Sequence, residues 1–194
     1  MSVVALIENE PGYGFSRANP GIFVVMGVSG CGKSTVGARL AQALGVAFLE
    51  GDSLHPASNV ARMAAGLALG DADREGWLRA LAERIRLARQ GGHGLVLSCS
   101  ALKRSYRDIL RSGAPGLQFI HLHGAHDVLA ARMAARTGHY MPPSLLTSQL
   151  DTLEMPGADE HAQGFDVAEA PDTIVGFVVA GRSGTSYQPA LLKS

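Results

Sequence analysis

The sequence predicts an α/β domain in which a parallel β-sheet carries helices on both faces. Three observations predict it. Short apolar runs of strand length alternate with segments of helical period, the links between them are brief, and a glycine-rich turn joins the first strand to the first helix. Alternation of this kind implies right-handed crossovers, hence strands running the same way.

Each element has its own reason. The uninterrupted apolar run Ile22-FVVM suits a strand covered on both faces. Lys33 to Leu44 places Val36, Leu40 and Leu44 on one helical face, and Val46 to Glu50 forms a second strand. Pro56 favours the start of a short helix to Ala65. Asp73 to Gln90 is the clearest helix, with Leu78, Leu81, Ile85 and Ala88 in register and Gly91-Gly92 as its stop. Leu95-VLS is a third strand, Lys103 to Arg111 a helix, and Leu117-QFIHL a fourth strand. Asp127 to about Thr137 reads as helix, Gly138 to Pro143 as a break, and Ser144 to Leu150 as helix again. Phe165-DVA is a weak fifth strand before a last helix, Pro171 to Val179. No repeat or linker divides residues 21–180. Residues 1–20 read as a flexible extension and 181–194 as a loose tail.

Composition narrows the function. The chain has 194 residues, 46% hydrophobic and 18% charged, which fits a folded domain rather than a disordered one. A formal net charge of zero without blocks of like charge speaks against a nucleic-acid partner. The apolar runs are too short to cross a bilayer, and residues 1–20 lack the pattern of a secretory signal. Two cysteines, Cys31 and Cys99, make no disulfide framework and are expected reduced, in a cytoplasmic setting. The position of Cys31 at a helix N-terminus is expected to lower its thiol pKa and make it reactive.

The stretch Gly27-Val28-Ser29-Gly30-Cys31-Gly32-Lys33-Ser34 fits G-x-x-x-x-G-K-[ST] at every position, with Thr35 following. Such a loop turns backbone N–H groups toward phosphate oxygens at the positive end of a helix. Lys33 then supplies a point charge to the terminal phosphates, and the Ser34 hydroxyl is a ligand for Mg²⁺. Neither the third nor the fourth strand ends in the Asp that motor ATPases use, and no N-K-x-D reads guanine. The acid follows strand two instead, in Leu49-EGDSLHP. At the carboxyl end of a parallel strand Asp52, with Glu50 beside it, should point at the reacting centre. Asp52 can there orient an acceptor hydroxyl and take its proton; its alternative is a turn or capping role.

Arg132 and Arg136, four apart on one helix face, lead into a glycine- and proline-punctuated segment of lid size, about 136–150. Their forked guanidinium groups suit a transferring phosphoryl group, or else they form a solvated face near a helix C-terminus. Arg74, Lys103 and Arg107 offer cations to an anionic acceptor and His55 a bond to a hydroxyl, with Lys103 and Arg107 on one helix face. Arg104 and Arg111 are expected to face water, and Trp77 to be core or pocket wall.

Beyond the loop, the strings Leu49-EGDSLHPASNVARMAAG, Asp71-ADREGWL, Ser98-CSALKRSYRDILR and Gly138-HYMPPSLLTSQLDTLEMP resemble the gluconate kinases, in order, across about residues 21 to 180. Cys31 stands where many members have Ser. The resemblance implies a P-loop kinase fold with five parallel strands, a mobile lid and a homodimer. It also implies ATP-dependent phosphorylation of D-gluconate at its 6-hydroxyl, with Mg²⁺. On that reading Lys33, Asp52, Arg132 and Arg136 are catalytic, and residues 27–35 hold ATP with Ser34 on the metal. Asp52, His55, Arg74, Lys103 and Arg107 hold the acceptor. A kinase of another small acid, such as shikimate, would share the carboxylate anchor but not these strings. A nucleotide-binding regulator would keep the loop without the acceptor residues.

Overall fold

Ile22–Met26 forms β1, and its place in the middle of the sheet organises everything else. The computed structural model describes residues 21–135 and 143–181. The expected N-terminal extension, Arg136 with the glycine–proline segment as far as residue 142, and most of the expected tail lie outside those residues. After β1 come α1 (Lys33–Leu44), β2 (Ala47–Glu50), a single 3₁₀ turn (Gly51–Leu54), α2 (Ala57–Ala64) and α3 (Asp71–Gln90). β3 (Leu95–Ser98), α4 (Arg104–Arg111), β4 (Gln118–His123) and α5 (His126–Ala134) follow. α6 (Pro143–Thr152), a 3₁₀ turn (Ala158–Glu160), β5 (Ala162–Asp166) and α7 (Pro171–Val179) complete the described chain.

The five strands lie in the order β2-β3-β1-β4-β5 and every pairing is parallel. The chain leaves β1 toward one edge and later returns to its other side, so the carboxyl end of β1 is a topological switch point. Alternation along the strands divides the core in two. Phe23, Val25, Val96, Ile120 and Leu122 pack on one face with Val36 and Leu40 of α1 and with Ile174, Val175 and Val178 of α7. Val24, Met26, Leu97 and Phe119 pack on the other with Trp77, Leu78, Leu81 and Ile85 of α3 and Leu110 of α4. A sheet covered on both faces needs these strands to be apolar throughout, which is what their sequences supply.

Where the structure departs from the sequence reading, backbone interactions account for it. α3 begins two residues early because the Asp73 carboxylate accepts the Gly70 N–H at 2.9 Å and secures the first turn. β5 begins at Ala162, its register set by β4 rather than by its own apolar pattern. Lys103 is extended (φ −96°, ψ 151°) and only caps α4, so Lys103 and Arg107 do not share a helix face as expected. The later part of the expected lid is α6, with Leu146 fully buried in the core.

Cys31 and Cys99 are both free and buried. Burial raises the Cys31 thiol pKa, outweighing the lowering by Lys33, and pushes Cys99 up to about 12. The expected reactive Cys31 is therefore corrected: desolvation beats the helix end, and the side chain is part of the hydrophobic core. Alkylation of the folded protein with iodoacetamide at pH 7.5 should leave both thiols unmodified by mass spectrometry, and both should react in urea.

Arg107 is the second correction. It is 0% exposed, and its fork meets Glu160 at 2.6 and 2.9 Å. Its remaining nitrogen donates to the carbonyls of Ala101, Leu102 and Glu154. So deeply buried and so engaged, the group holds the protein together and does not line the cleft where an acceptor molecule would sit. Arg111, expected in water, joins the same carboxylate at 3.1 Å with its side chain only 20% exposed. Burial alone would raise the Glu160 pKa, but the bonds from Arg107, the Gly157 N–H and Arg111 carry it down to about 2. A depressed carboxylate pKa contributes stability that is complete above the unfolded value near 4.5 and disappears as pH falls toward 2. Glu160→Gln should leave Arg107 buried without its counter-charge and cost on the order of 3–5 kcal/mol at pH 7. Urea unfolding at pH 7 and pH 3 should show that deficit shrinking in acid.

Candidate active site

Three loops meet at the carboxyl edge of the sheet: those after β1, β2 and β3. The first runs from Gly27 to Gly32. Gly27 sits at φ 137°, where a Cβ would lie 2.4 Å from the Leu122 carbonyl oxygen, so no other residue fits against β4. Gly32 adopts the left-handed conformation at the N-terminus of α1, leaving the first helical N–H groups open to a ligand. Lys33 folds back onto the loop, its Nζ donating to the Val28 carbonyl at 3.0 Å. Ser34 and Thr35 lie in the first turn of α1.

The second loop carries Asp52. Gly51 passes so close to β3 that a Cβ would stand 2.1 Å from the Ser98 carbonyl oxygen. Ser98 ties the strand ends further, its hydroxyl accepting the Gly51 N–H at 3.2 Å and donating to Glu50. The Trp77 indole N–H donates to the Gly51 carbonyl at 2.8 Å, and the ring stacks on His55 with centroids 4.0 Å apart. Helix α3 thus fixes residues 51–55 from below, with Trp77 itself part of the hydrophobic core. Asp52 projects away from these anchors with its side chain 70% exposed.

Together the loops border a cleft of about 250 Å³. Ser29 and Lys33 line its phosphate end, and Asp52, His55, Arg74 and Lys103 line the remainder. Six of the expected site positions therefore converge on one space, though they span more than seventy residues of sequence. His55 Nε2 lies 4.0 Å from an Asp52 oxygen, and burial lowers the His55 pKa against the pull of that carboxylate. The imidazole is thus held toward its neutral form and leaves the charge of Asp52 to the cleft.

Residues that the sequence did not single out complete the wall. Lys103 Nζ meets both oxygens of Asp71 at 2.7 and 2.8 Å, and the Tyr106 hydroxyl donates to the same carboxylate. Arg74 and Lys103 both approach the Tyr106 ring, at 5.9 and 5.7 Å from its centre. The bonds from Lys103 and Tyr106 hold Asp71 below the usual carboxylate range, while burial and that same bond raise Tyr106. From α6 comes Gln149, whose Oε1 accepts the Ser29 N–H at 2.7 Å. Asp71 and Tyr106 stood within the quoted motifs, but pairing across thirty-five positions carries no local signal.

Arg132 is placed elsewhere. Its guanidinium donates to the Val167 carbonyl at 2.7 Å, beyond the end of β5, and it does not line the cleft. Glu50 is likewise engaged by Ser98 rather than aimed into the cleft. Among the described residues no cluster of three or more His, Cys, Asp or Glu could hold a metal. Mg²⁺ needs no such cage, since it keeps several waters and takes one or two protein oxygens beside phosphate. The Ser34 hydroxyl at the open helix end is a donor of the right kind.

Comparison with known proteins agrees with this geometry. The AAA domain family model matches residues 22–156. The gluconokinase of Gluconobacter oxydans (strain 621H) is 49% identical over 156 residues, covering 80% of this chain and 88% of that protein. The thermoresistant gluconokinase of Escherichia coli (strain K12) is 48% identical over 139 residues, 72% of this chain and 79% of its own. The crystal structure of a gluconokinase from Sinorhizobium meliloti 1021 superposes with a TM-score of 0.77 at 52% identity, covering 85% of this chain and 93% of that one. With its phosphate loop, its five parallel strands and relatives of this closeness, the chain belongs to the gluconokinase family.

Proposed function

We infer that this protein transfers the terminal phosphoryl group of ATP to the 6-hydroxyl of D-gluconate, giving 6-phospho-D-gluconate and ADP. One observation carries the reading: the phosphate loop and Asp52 open onto the same cleft, in a chain of the gluconokinase family. Nucleotide phosphates would lie on the N–H groups of residues 27–35. In that complex the Lys33 ammonium exchanges the Val28 carbonyl for phosphate oxygen, a contact that strengthens as charge develops on the transferring group. Mg²⁺, held through the Ser34 hydroxyl, would neutralise phosphate charge.

Asp52 is the base in this reading. It is solvated, lines the cleft and follows a glycine packed too closely against β3 for any side chain, so it can orient the acceptor hydroxyl and accept its proton. Lys103 and Arg74 supply cations for the gluconate carboxylate. Asp71 is exposed and Lys103 partly so, so solvent screens the pair between them and a substrate carboxylate can compete for the ammonium. Arg132 and Arg136 would act on the phosphoryl group only after Arg132 leaves the Val167 carbonyl. Family resemblance supports a cytoplasmic homodimer as part of the same proposal, and no described helix is long and apolar enough to cross a membrane.

Lys33→Met should abolish turnover while thermal unfolding stays near that of the wild type. Near-normal turnover in that variant would refute the assignment of the loop. Asp52→Asn keeps the shape and removes the base, so turnover on gluconate should fall by roughly two to four orders of magnitude. Calorimetric affinity for a non-hydrolysable ATP analogue should change little. A parallel loss of Mg²⁺-dependent nucleotide affinity would move Asp52 to the metal.

A further inference from the structure

In this structure an N–H of the phosphate loop takes its acceptor from a distant side chain. The Ser29 N–H donates to Gln149 Oε1 at 2.7 Å, across 120 residues of sequence. Ser29 stands in the middle of the motif, where the loop's N–H groups are meant for phosphate oxygen. An amide oxygen is a neutral stand-in for that oxygen. Lys33 shows the same pattern, since its ammonium donates to the Val28 carbonyl.

Gln149 is held where it is from behind. Directly after α6, the Glu154 N–H donates to the Leu102 carbonyl at 2.8 Å, and the Glu154 carboxylate accepts the Arg104 N–H at 2.7 Å. The Glu154 carbonyl accepts from Arg107. The C-terminal end of α6 is therefore fastened to the loop after β3, and Leu146 anchors its inner face. Gln149 and its neighbour Ser148 line the cleft that Asp52 enters. Rotation about its own side-chain bonds is enough to release the Ser29 N–H without the helix moving.

We propose that Gln149 is a positioning residue that couples the two substrates: its amide occupies the Ser29 N–H while phosphate is absent, and phosphate displaces it toward the acceptor. An oxygen on Ser29 and a nucleotide phosphate exclude one another. Once displaced, the amide offers both a donor and an acceptor beside Asp52, the combination that the vicinal hydroxyls of a polyhydroxy acid require. The acceptor half rests on the gluconate reading; the phosphate half stands on the loop geometry alone.

Gln149→Leu and Gln149→Glu test it in opposite directions. Leucine removes the competitor without much change of volume, so calorimetric affinity for a non-hydrolysable ATP analogue should tighten about three- to tenfold, the size of one net hydrogen bond. KM for gluconate should rise by a similar factor because the displaced amide is missing. Glutamate holds the Ser29 N–H more strongly and repels phosphate, so nucleotide affinity should fall by more than tenfold. A purely structural side chain would shift both variants the same way. Unchanged or same-direction nucleotide affinities, with melting temperatures near the wild type, would overturn the proposal, as would an unchanged KM for gluconate in Gln149→Leu. If leucine prevents folding, Gln149→Ala takes its place with the same expected signs. A wild-type protein inert toward gluconate would overturn the functional reading and the acceptor half, while the calorimetry still decides the phosphate half.

Discussion

A loop that gathers backbone N–H groups around one point creates a demand that water or an anion must meet, because buried donors without acceptors are costly. Much of the site can be understood as a response to that demand. Gly27 and Gly32 bend the chain into positions closed to other residues, and α1 adds the open donors of its first turn. The protein supplies carbonyl oxygens of its own to this loop, from Val28 to Lys33 and from Gln149 to Ser29.

Around this exchangeable centre the scaffold is rigid. Gly51 against Ser98 leaves no free space at the ends of β2 and β3, and Trp77 locks the same turn from α3. The buried Arg107–Glu160 pair ties α4 to the turn before β5, and its spare donors fix the carbonyls of Ala101 and Leu102. Ala101 holds a positive φ of 45°, a conformation a non-glycine residue keeps only when its surroundings impose it. The ion pair therefore acts at a distance on the loop bearing Lys103. The cleft has hard walls and a few side chains, Lys33, Lys103 and Gln149, whose partners can be traded.

The same division explains what could be read from the chain before folding. Strands β1 and β3, helix α1 and helix α7 were legible residue by residue, since apolar runs and helical period report burial directly. The phosphate loop was legible because its chemistry is local: eight consecutive residues contain the turn, the charge and the hydroxyl. Asp52 was legible from topology, as an acid just after a parallel strand. Arg107 was misread because a cation four residues from Lys103 looks the same in sequence whether it faces solvent or the core. Cys31 was misread for a similar reason, since helix position is a sequence property and desolvation is not.

By itself, then, the sequence determined the alternation of strands and helices, the phosphate loop and the place of an acid just after the second strand, because each depends on neighbours a few residues away. Tertiary structure alone decided which cations are available. It sent Arg107 to Glu160, Lys103 to Asp71 and Arg132 to the Val167 carbonyl, and it brought Gln149 onto Ser29. Those choices join residues 32 to 120 positions apart, and the energies that settle them, desolvation against pairing, exist only once both partners have left water.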